Sequence, residues 1–266
     1  MTTAMIELID THAHIHEADY VAPDEALTRA RENGVNEVIC IGTSKQSSRE
    51  ALAFAAANEG VYATIGIHPH ETKDGWSEIR ELAATAGEKL VGIGEIGLDY
   101  YYEHSSKETQ IEALKEQLQV AVDYNLPVSF HVRDALDDFW PIFDSFHYSD
   151  GSNLRGVLHS FTDTQDNLNK ALERGLYIGV NGISTFTKGP TQRAMFAAIP
   201  LERIVLETDA PWLTPSPFRG KINEPAFVRN IAQYYADTYR ANEGVNFVDI
   251  ANTTTANARA LFRIKA

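Results

Sequence analysis

Short runs of β-forming residues recur along this chain, and a longer amphipathic segment follows each of them. Apolar runs bounded by turn residues are typical of strands, whereas apolar residues at spacings of three and four indicate a helix. The clearest helix is predicted over residues 107–124, with an apolar stripe at Ile111, Leu114, Leu118 and Val122. The predicted strands cover residues 6–10, 37–42, 61–67, 90–96, 127–132, 156–161, 176–180 and 204–208.

About eight strands that alternate with helices predict a parallel sheet, and in 266 residues they predict a closed (β/α)8 TIM-type barrel. A doubly wound open sheet is the alternative, usually with a glycine-rich phosphate turn. The stretch Gly92-Ile93-Gly94-Glu95-Ile96-Gly97 is a weak match to that turn. Its first two glycines lie inside a predicted strand, and no helix begins at the third.

Helix boundaries are predicted at both ends of the chain. Pro23, followed by two acidic residues, is typical of a helix start, and Asn33-Gly34 of a helix end. Residues 225–262 predict two closing helices separated by Asn242-Glu243-Gly244.

Composition predicts a globular protein with a substantial core, because 44% of the residues are hydrophobic and 23% are charged. No linker, low-complexity tract or internal repeat divides the sequence, so we predict one domain over residues 1–266. The formal net charge of −14 disfavours a broad basic surface for duplex DNA or anionic membranes. A few Lys or Arg side chains, or bound cations, can still hold a phosphate locally.

Cellular location is predicted from what the sequence lacks. After Met-Thr-Thr-Ala the chain enters a strand-like run without a basic and apolar leader, and no run is long enough to span a membrane. The single cysteine, Cys40, stands in an apolar stretch and is predicted to be a buried small hydrophobe. A disulfide framework is therefore excluded, and we expect a cytoplasmic protein without a membrane partner or an obligatory protein partner.

Polar side chains follow most of the predicted strands. In a (β/α)8 barrel the carboxyl ends of the strands carry the active site, so these residues are expected to share one site. Imidazole and carboxylate are ligands suited to a divalent metal. The strand-end residues with this chemistry are His12, His14, His68, His70, Glu95, Asp99, His131, Asp134, His159, Glu207 and Asp209.

Three histidines, His12, His14 and His16, alternate along the first predicted strand. Side chains of an extended strand alternate between its faces, so all three would project from one face for as long as the strand continues. The cluster could bind a metal or decorate a polar edge.

The segments IDTHAHIH, GIHPH, VGIGEIGLDYY, PVSFHVRDA, GVLHSFT, LETDAPWLTP and RGKINEP resemble, in order and spacing, the signatures of TatD-type metal-dependent deoxyribonucleases of the amidohydrolase superfamily. The resemblance covers nearly the whole chain and implies a (β/α)8 barrel. It also implies two divalent ions, with Zn²⁺, Mn²⁺ and Mg²⁺ as candidates. The implied metal-site residues are His12, His14, Glu95, His131, His159 and Asp209.

Within this implied centre, His12, His14 and Asp209 hold one ion, His131 and His159 hold the other, and Glu95 bridges them. The sequence departs from the family pattern at Ala13, His16, Asp163 and Asn181, none of which replaces an implied ligand. We therefore predict that His16 is not a metal ligand and lies at the start of a loop, either lining the substrate mouth or solvated.

The leading functional hypothesis is exonuclease-like hydrolysis of phosphodiester bonds in single-stranded or frayed DNA, with Asp209 and Glu95 as catalytic residues. In this hypothesis Asp209 orients the attacking water and accepts its proton. The predicted substrate-binding residues are His68, Arg133, Arg219 and Lys221. For Arg133 an ion pair with Asp99 or Asp134 is equally plausible. Trp212 and Phe218 could stack on a base or pack against loops.

Two alternatives remain open at the level of the sequence. A related hydrolase could attack an ester, amide, lactone or aminoacyl-RNA bond with the same metal chemistry. Relatives that bridge their metals with a carboxylated lysine would need Lys where Glu95 stands, which favours the TatD-like branch. A binding or scaffold barrel without turnover is the second alternative, and the complete ligand set disfavours it.

Overall fold

The computed structural model describes residues 6–102 and 104–265. Its strands are β1 (Leu8–Ala13), β2 (Val35–Ile41), β3 (Val61–Ile65), β4 (Leu90–Asp99), β5 (Val128–Arg133), β6 (Gly156–Leu158), β7 (Tyr177–Val180) and β8 (Ile204–Leu206). Its helices are α1 (Pro23–Glu32), α2 (Lys45–Ala57), α3 (Glu78–Thr85), α4 (Lys107–Asp123), α5 (Leu136–Phe143), α6 (Gln165–Glu173), α7 (Ile183–Phe186), α8 (Pro190–Ala198), α9 (Val228–Tyr239) and α10 (Phe247–Phe262). Short 3-10 helices cover Pro69–Asp74, Gly87–Lys89, Leu201–Arg203 and Pro225–Phe227. The prediction about the chain start rests on residues 1–4, which lie outside the described residues.

The eight strands form one sheet in which hydrogen-bonded neighbours follow chain order from β1 to β8. The strand pairs are parallel, and at least one helix follows each strand. These features confirm the predicted (β/α)8 fold. They exclude the doubly wound alternative, whose strand order reverses at a switch point. Gly92, Gly94 and Gly97 all lie inside β4, so this stretch is a strand and not a phosphate turn.

Strand ends differ from the predictions where other hydrogen bonds compete with the sheet. β4 continues to Asp99 because its last residues pair with the end of β5. β8 ends at Leu206, and beyond it the backbone N–H of Thr208 donates to the Asp10 carboxylate instead of to a neighbouring strand. β1 runs to Ala13, so it includes His12 and ends before the other two histidines of its run.

The helix predictions hold at most boundaries. α1 begins at Pro23, and α9 and α10 are the two closing helices. α4 ends one residue before the predicted end and buries Leu114 and Leu118. It also buries Gln110 and Gln117, which the apolar pattern did not indicate.

The described residues group into two compact units. One unit contains the chain up to Ile39, Ser160–Leu172 and the chain from Tyr177 onward. In this unit α9 and α10 pack against β1 and β8, and Tyr235 of α9 is fully buried. The other contains Cys40–His159 and Glu173–Leu176, and its core includes the edge-to-face rings of Phe130 and Phe139. Cys40 is buried, as predicted. The single domain stays a prediction.

Within the described ranges, no helix combines the length and the apolar character that crossing a membrane requires.

Candidate metal-binding groups

The first group of metal-ligating side chains consists of His12, His14 and Asp209. The Nε2 atoms of the two histidines lie 3.2 Å apart. Asp209 Oδ1 lies 3.3 Å from His14 Nε2 and 3.7 Å from His12 Nε2. One donor atom from each residue lies within 4.8 Å of the others, so the three can converge on one cation. Two imidazoles and one carboxylate suit a divalent ion such as Zn²⁺ or Mn²⁺.

Backbone hydrogen bonds between the end of β1 and the turn after β8 bring this group together. The N–H of Asp209 donates to the His12 carbonyl at 2.8 Å, and the N–H of His14 donates to the Ala210 carbonyl at 2.8 Å. Asp209 has a φ of 59°, a left-handed conformation that Asp adopts more readily than most residues. The chain therefore turns directly at Asp209, and the carboxylate stays beside the two imidazoles.

Asp10 anchors the same junction, although the sequence offered no role for it. The fully buried carboxylate accepts hydrogen bonds from the N–H of Thr208 at 2.9 Å and from its hydroxyl at 2.5 Å. The N–H of His12 also donates to it, at 3.2 Å. Burial raises the pKa of Asp10 to about 7, although these hydrogen bonds oppose the shift.

Asn223 fastens the loop that follows Asp209. Its fully buried side-chain amide donates to the carbonyls of Thr208 and Trp212. The backbone carbonyl of Asn223 in turn accepts a hydrogen bond from the hydroxyl of Tyr20. The 3-10 helix that follows begins at Pro225 with Glu224 as its cap. Asn223, in the RGKINEP segment, thus bridges two positions of the loop.

Glu207, two residues before Asp209, is fully buried like Asp10. Its Oε1 accepts the N–H of Ser160 at 2.7 Å and the side-chain amide of Asn181 at 3.3 Å. Asn181 also donates to the Ser160 hydroxyl at 2.9 Å. Ser160 has a left-handed φ of 49°, so these bonds hold a tight turn at Ser160, just beyond the end of β6 and next to His159.

The second group of metal-ligating side chains consists of His68, Glu95 and His131. Glu95 Oε1 lies 2.9 Å from His131 Nδ1 and 3.7 Å from His68 Nε2. One donor atom from each residue lies within 4.8 Å of the others, so these three can also converge on a cation. The predicted ligand His159 lies close by, with Nε2 3.9 Å from the same Glu95 oxygen. His68, predicted to bind substrate, therefore lies among the ligand atoms themselves.

His131 lies between two carboxylates. Its Nδ1 faces Glu95, and its Nε2 lies 2.9 Å from Asp99 Oδ2. Burial would lower the pKa of His131, but its bonds to Asp99 and Glu95 outweigh that effect and raise it. Burial would conversely raise the pKa of Asp99, and the bonds from His131, the Tyr102 backbone and His70 lower it overall.

His68 has the opposite electrostatic setting. Burial is the largest cause that holds its pKa well below the usual value, and the neighbouring His131 lowers it further. The rings of the two histidines lie 4.4 Å apart. A neutral imidazole results, and neutral imidazole is the form that binds a metal.

Two buried glutamines on α4 hold the strand ends that carry this group. Gln110 accepts the N–H of Asp99 at 2.8 Å and donates to its carbonyl at 3.0 Å. Gln117 does the same for Ile67, accepting at 2.7 Å and donating at 3.2 Å, directly before His68. Each amide therefore satisfies a backbone N–H and C=O where a strand leaves the sheet.

Gly97 allows β4 to lie close to His131. A Cβ at this position would overlap the His131 carbonyl oxygen, and the φ of 154° is rare for residues with a side chain. Gly97 pairs with His131 across the two strands. The third glycine of the GIGEIG stretch thus serves close backbone packing.

His16 lies in the turn after β1, as predicted, and it is buried, so of the two alternatives for its side chain the solvated one is wrong. Its ring is 6.3 Å from that of His14, tilted by 37°. The strand ends at Ala13, so the three histidines do not share one strand face. His16 belongs to neither of the two groups described above. Its exclusion from direct metal binding stays a prediction.

The predicted substrate-binding cations differ in their settings. Among the described residues Arg133 forms no ion pair with Asp99 or Asp134; its guanidinium lies 3.8 Å from the centre of the Tyr101 ring. Arg219 lies 3.9 Å from the centre of the Phe186 ring and donates to the Thr214 carbonyl. All three predicted cations, Arg133, Arg219 and Lys221, are exposed.

The two aromatic side chains predicted near the mouth also differ. Phe218 stacks on Phe227, with ring centres 4.5 Å apart and planes inclined by 12°, so one of its faces packs within the protein. Trp212 is exposed, and its ring centre lies 5.2 Å from that of His14.

Comparison with known proteins adds independent information. The family model described as TatD related DNase matches residues 9–263. The uncharacterized metal-dependent hydrolase YabD of Bacillus subtilis is 34% identical over 262 residues, covering 97% of this chain and 99% of the relative. The 3'-5' ssDNA/RNA exonuclease TatD of Cronobacter sakazakii is 37% identical over 248 residues, covering 90% of this chain and 91% of the relative. Among solved structures, the TatD homolog YJJV of Escherichia coli matches with a TM-score of 0.87 and 28% identity, covering 98% of this chain and 100% of that one.

Proposed function

This chain belongs to the TatD-related DNase family and is a metal-dependent hydrolase that acts on ester bonds, and from this premise we propose that it removes nucleotides from single-stranded or frayed DNA ends. The observation that carries the proposal is the pair of His and carboxylate groups, one around Asp209 and the other around Glu95. A relative of 37% identity is named as an exonuclease on single-stranded DNA and RNA, which supports the substrate class. The chain is an enzyme, so the scaffold alternative falls.

We propose that His12, His14 and Asp209 hold one divalent cation and that Glu95 and His131 hold a second with His159. His68 lies as close to Glu95 as His159 does, so it can complete the second group or contact the phosphate. Divalent cations at these groups supply positive charge to the phosphate and lower the pKa of water. The bridging role of Glu95 and the choice among Zn²⁺, Mn²⁺ and Mg²⁺ stay predictions.

In the proposed reaction Asp209 orients the attacking water and takes its proton. The Asp209 carboxylate lies beside the imidazoles of both His12 and His14, so a water held by this group would lie next to the proposed base. The water oxygen forms a new bond to phosphorus, the ester P–O bond breaks, and the leaving oxygen takes up a proton. A carboxylate can act as this base only while it is ionised.

Arg133, Arg219 and Lys221 are proposed to supply the local positive charge that the net charge of −14 does not. Arg133 is the strongest candidate for a phosphate contact, because it is exposed at the end of β5, which also carries His131. Its guanidinium face rests on Tyr101, and that leaves the in-plane N–H groups available to phosphate oxygens. The cytoplasmic location and the absence of a protein partner stay predictions.

The test is release of nucleotides from an end-labelled single-stranded oligonucleotide in the presence of Mg²⁺, Mn²⁺ or Zn²⁺. We expect Glu95→Ala and Asp209→Asn to abolish release, because each removes a proposed ligand. The exposed carboxylates of Glu112 and Asp24 provide matched controls, and Glu112→Ala and Asp24→Asn should retain activity. Intact DNA at full metal occupancy, together with cleavage of an ester or aminoacyl substrate, would refute the nuclease proposal.

A further inference from the structure

Two exposed tyrosines follow Tyr100 just beyond the end of β4. Tyr101 is 56% exposed and Tyr102 is 44% exposed. Their rings meet edge to face, with centres 4.7 Å apart. The pair therefore presents aromatic surface to an external ligand.

Asp99 fixes this segment to the second metal-ligating group. Its Oδ1 accepts the N–H of Tyr101 at 2.9 Å and that of Tyr102 at 3.1 Å. Its Oδ2 meets His131 at 2.9 Å and His70 at 3.0 Å. One buried carboxylate therefore holds both the backbone of the two tyrosines and the imidazole beside Glu95. The backbone that carries the two rings is consequently held beside the second group.

Arg133 completes the arrangement. Its guanidinium lies 3.8 Å from the centre of the Tyr101 ring and 5.1 Å from that of Tyr102. Asp99 and Arg133 are partners across β4 and β5, and the N–H of Tyr100 donates to the Arg133 carbonyl at 3.0 Å. One face of Tyr101 is thus covered by a cation, while more than half of the residue remains accessible.

Open space adjoins the second tyrosine. A cavity of about 430 Å³ is lined by Tyr102 and by Lys107, whose ammonium lies 4.0 Å from the centre of the Tyr100 ring. His104 stacks on the Tyr102 ring with centres 5.6 Å apart, and 44% of Tyr102 remains exposed. A flat aromatic ligand with a negative group would meet aromatic surface and positive charge here. Those are the two features of a nucleotide, and bases stack on aromatic side chains with little dependence on sequence.

We propose that Tyr101 and Tyr102, backed by Arg133, form a stacking site for a nucleobase of the single-stranded substrate. The inference rests on the proposed nuclease function and deepens it. Bases in a duplex have both faces covered by their neighbours, whereas an unpaired base offers a free face to a tyrosine ring. The site therefore selects single-stranded or frayed ends by stacking and not by base sequence.

The test compares kcat/KM of the metal-loaded wild-type enzyme and its Tyr101→Ala variant on a fully base-bearing single-stranded oligonucleotide and on a series of abasic oligonucleotides. Each member of the series carries one abasic residue, placed at successive positions near the cleaved end. We expect Tyr101→Ala to lower kcat/KM about tenfold on the base-bearing strand, the scale of one lost stack. When the abasic residue stands where the base would stack on Tyr101, kcat/KM of the wild type should also fall about tenfold. Tyr101→Ala should not lower kcat/KM further on that strand. Tyr101→Phe and Tyr101→Trp should retain most of the activity.

Tyr124→Ala is the matched control, because Tyr124 is an exposed tyrosine at the end of α4 and is not part of the proposed stacking site of Tyr101, Tyr102 and Arg133. Melting temperatures of all variants report whether the fold is intact. Equal losses for Tyr101→Ala on base-bearing and abasic strands would mean that the ring only stiffens the loop, and the stacking proposal would be wrong. If the wild-type enzyme cleaves no nucleic acid with any of the metals, the proposed function itself is wrong. The assay of the wild type alone shows this, so the two failures can be distinguished.

Discussion

Asp99 Oδ2 lies 2.9 Å from His131 Nε2, on the far side of the ring from the nitrogen that faces Glu95. A carboxylate that accepts the N–H of one ring nitrogen leaves a lone pair on the other, which is how proteins orient histidine for a metal. The same contact raises the pKa of His131, so a cation must compete with a proton for Nδ1. We therefore propose that Asp99 positions His131 within the second candidate metal-binding group.

Replacement of Asp99 by Asn should weaken metal binding at this group by about 10- to 100-fold, the usual cost of losing a residue that orients a ligand. Asn keeps an oxygen for the Tyr101 and Tyr102 N–H groups, so the loop should persist. Isothermal titration with Mn²⁺ or Zn²⁺ measures the effect. The control is Asp123→Asn, at the end of α4, which should bind metal like the wild type. Unchanged affinity in Asp99→Asn would show that His131 is oriented without it.

Two histidines of one run should respond differently to substitution. His14→Ala removes an atom of the first group, and we expect its metal affinity to fall by more than about 100-fold, the upper scale for a residue that only supports a ligand. His16→Ala should retain both the affinity and the number of ions bound. Elemental analysis after equilibrium dialysis, with melting temperatures recorded alongside, separates ligand loss from unfolding. Loss of a bound ion in His16→Ala would contradict the prediction that His14 binds metal and His16 does not.

Asn223→Ala should destabilise the protein by about 2–3 kcal/mol, because the carbonyls of Thr208 and Trp212 both lose a donor. Asn223→Asp should not restore stability, since a carboxylate presents oxygen to those carbonyls. Urea denaturation measures both variants. Asn169→Ala, at an exposed position on α6, should change stability by no more than about 0.5 kcal/mol. A near-neutral Asn223→Ala would mean that the loop has other sufficient support.

Gly97→Ala should cost about 3 kcal/mol or more, because the added Cβ would overlap the His131 carbonyl oxygen. The strands could separate only by disturbing the backbone that carries His131, so metal binding should weaken as well. Thermal unfolding and metal titration test the two effects. Gly189→Ala is the comparison, with space for a Cβ and an expected cost of at most about 1 kcal/mol. Equal costs at both positions would contradict the close-packing argument.

Strand type and order could be predicted from the sequence because each strand is a short β-rich run between turn residues. Its last residues were harder to place. β8 ends early since Asp10 takes the N–H of Thr208, and no local pattern announces a bond between residues 198 positions apart. The burial of Gln110 and Gln117 was missed for the same reason: their partners are strand ends that only the folded chain brings beside α4.

The histidine run shows the limit at the candidate site. Alternation along a strand predicted a shared face for His12, His14 and His16 only for as long as the strand continues, and β1 ends at Ala13. The turn that follows β1 includes the hydrogen bond from the N–H of His14 to the carbonyl of Ala210, a residue that lies after β8 and far from His14 in sequence.

By itself the sequence determined the alternation of strands and helices, hence the fold, and the chemical nature of the metal-ligating residues, because these follow from local pattern and residue type. The tertiary structure alone decided which ligand atoms converge, that His68 joins Glu95 and His131, and that Asp99 links His131 to two exposed tyrosines. Convergence depends on hydrogen bonds and backbone approaches between distant segments, and their energies are set only when the chain has folded.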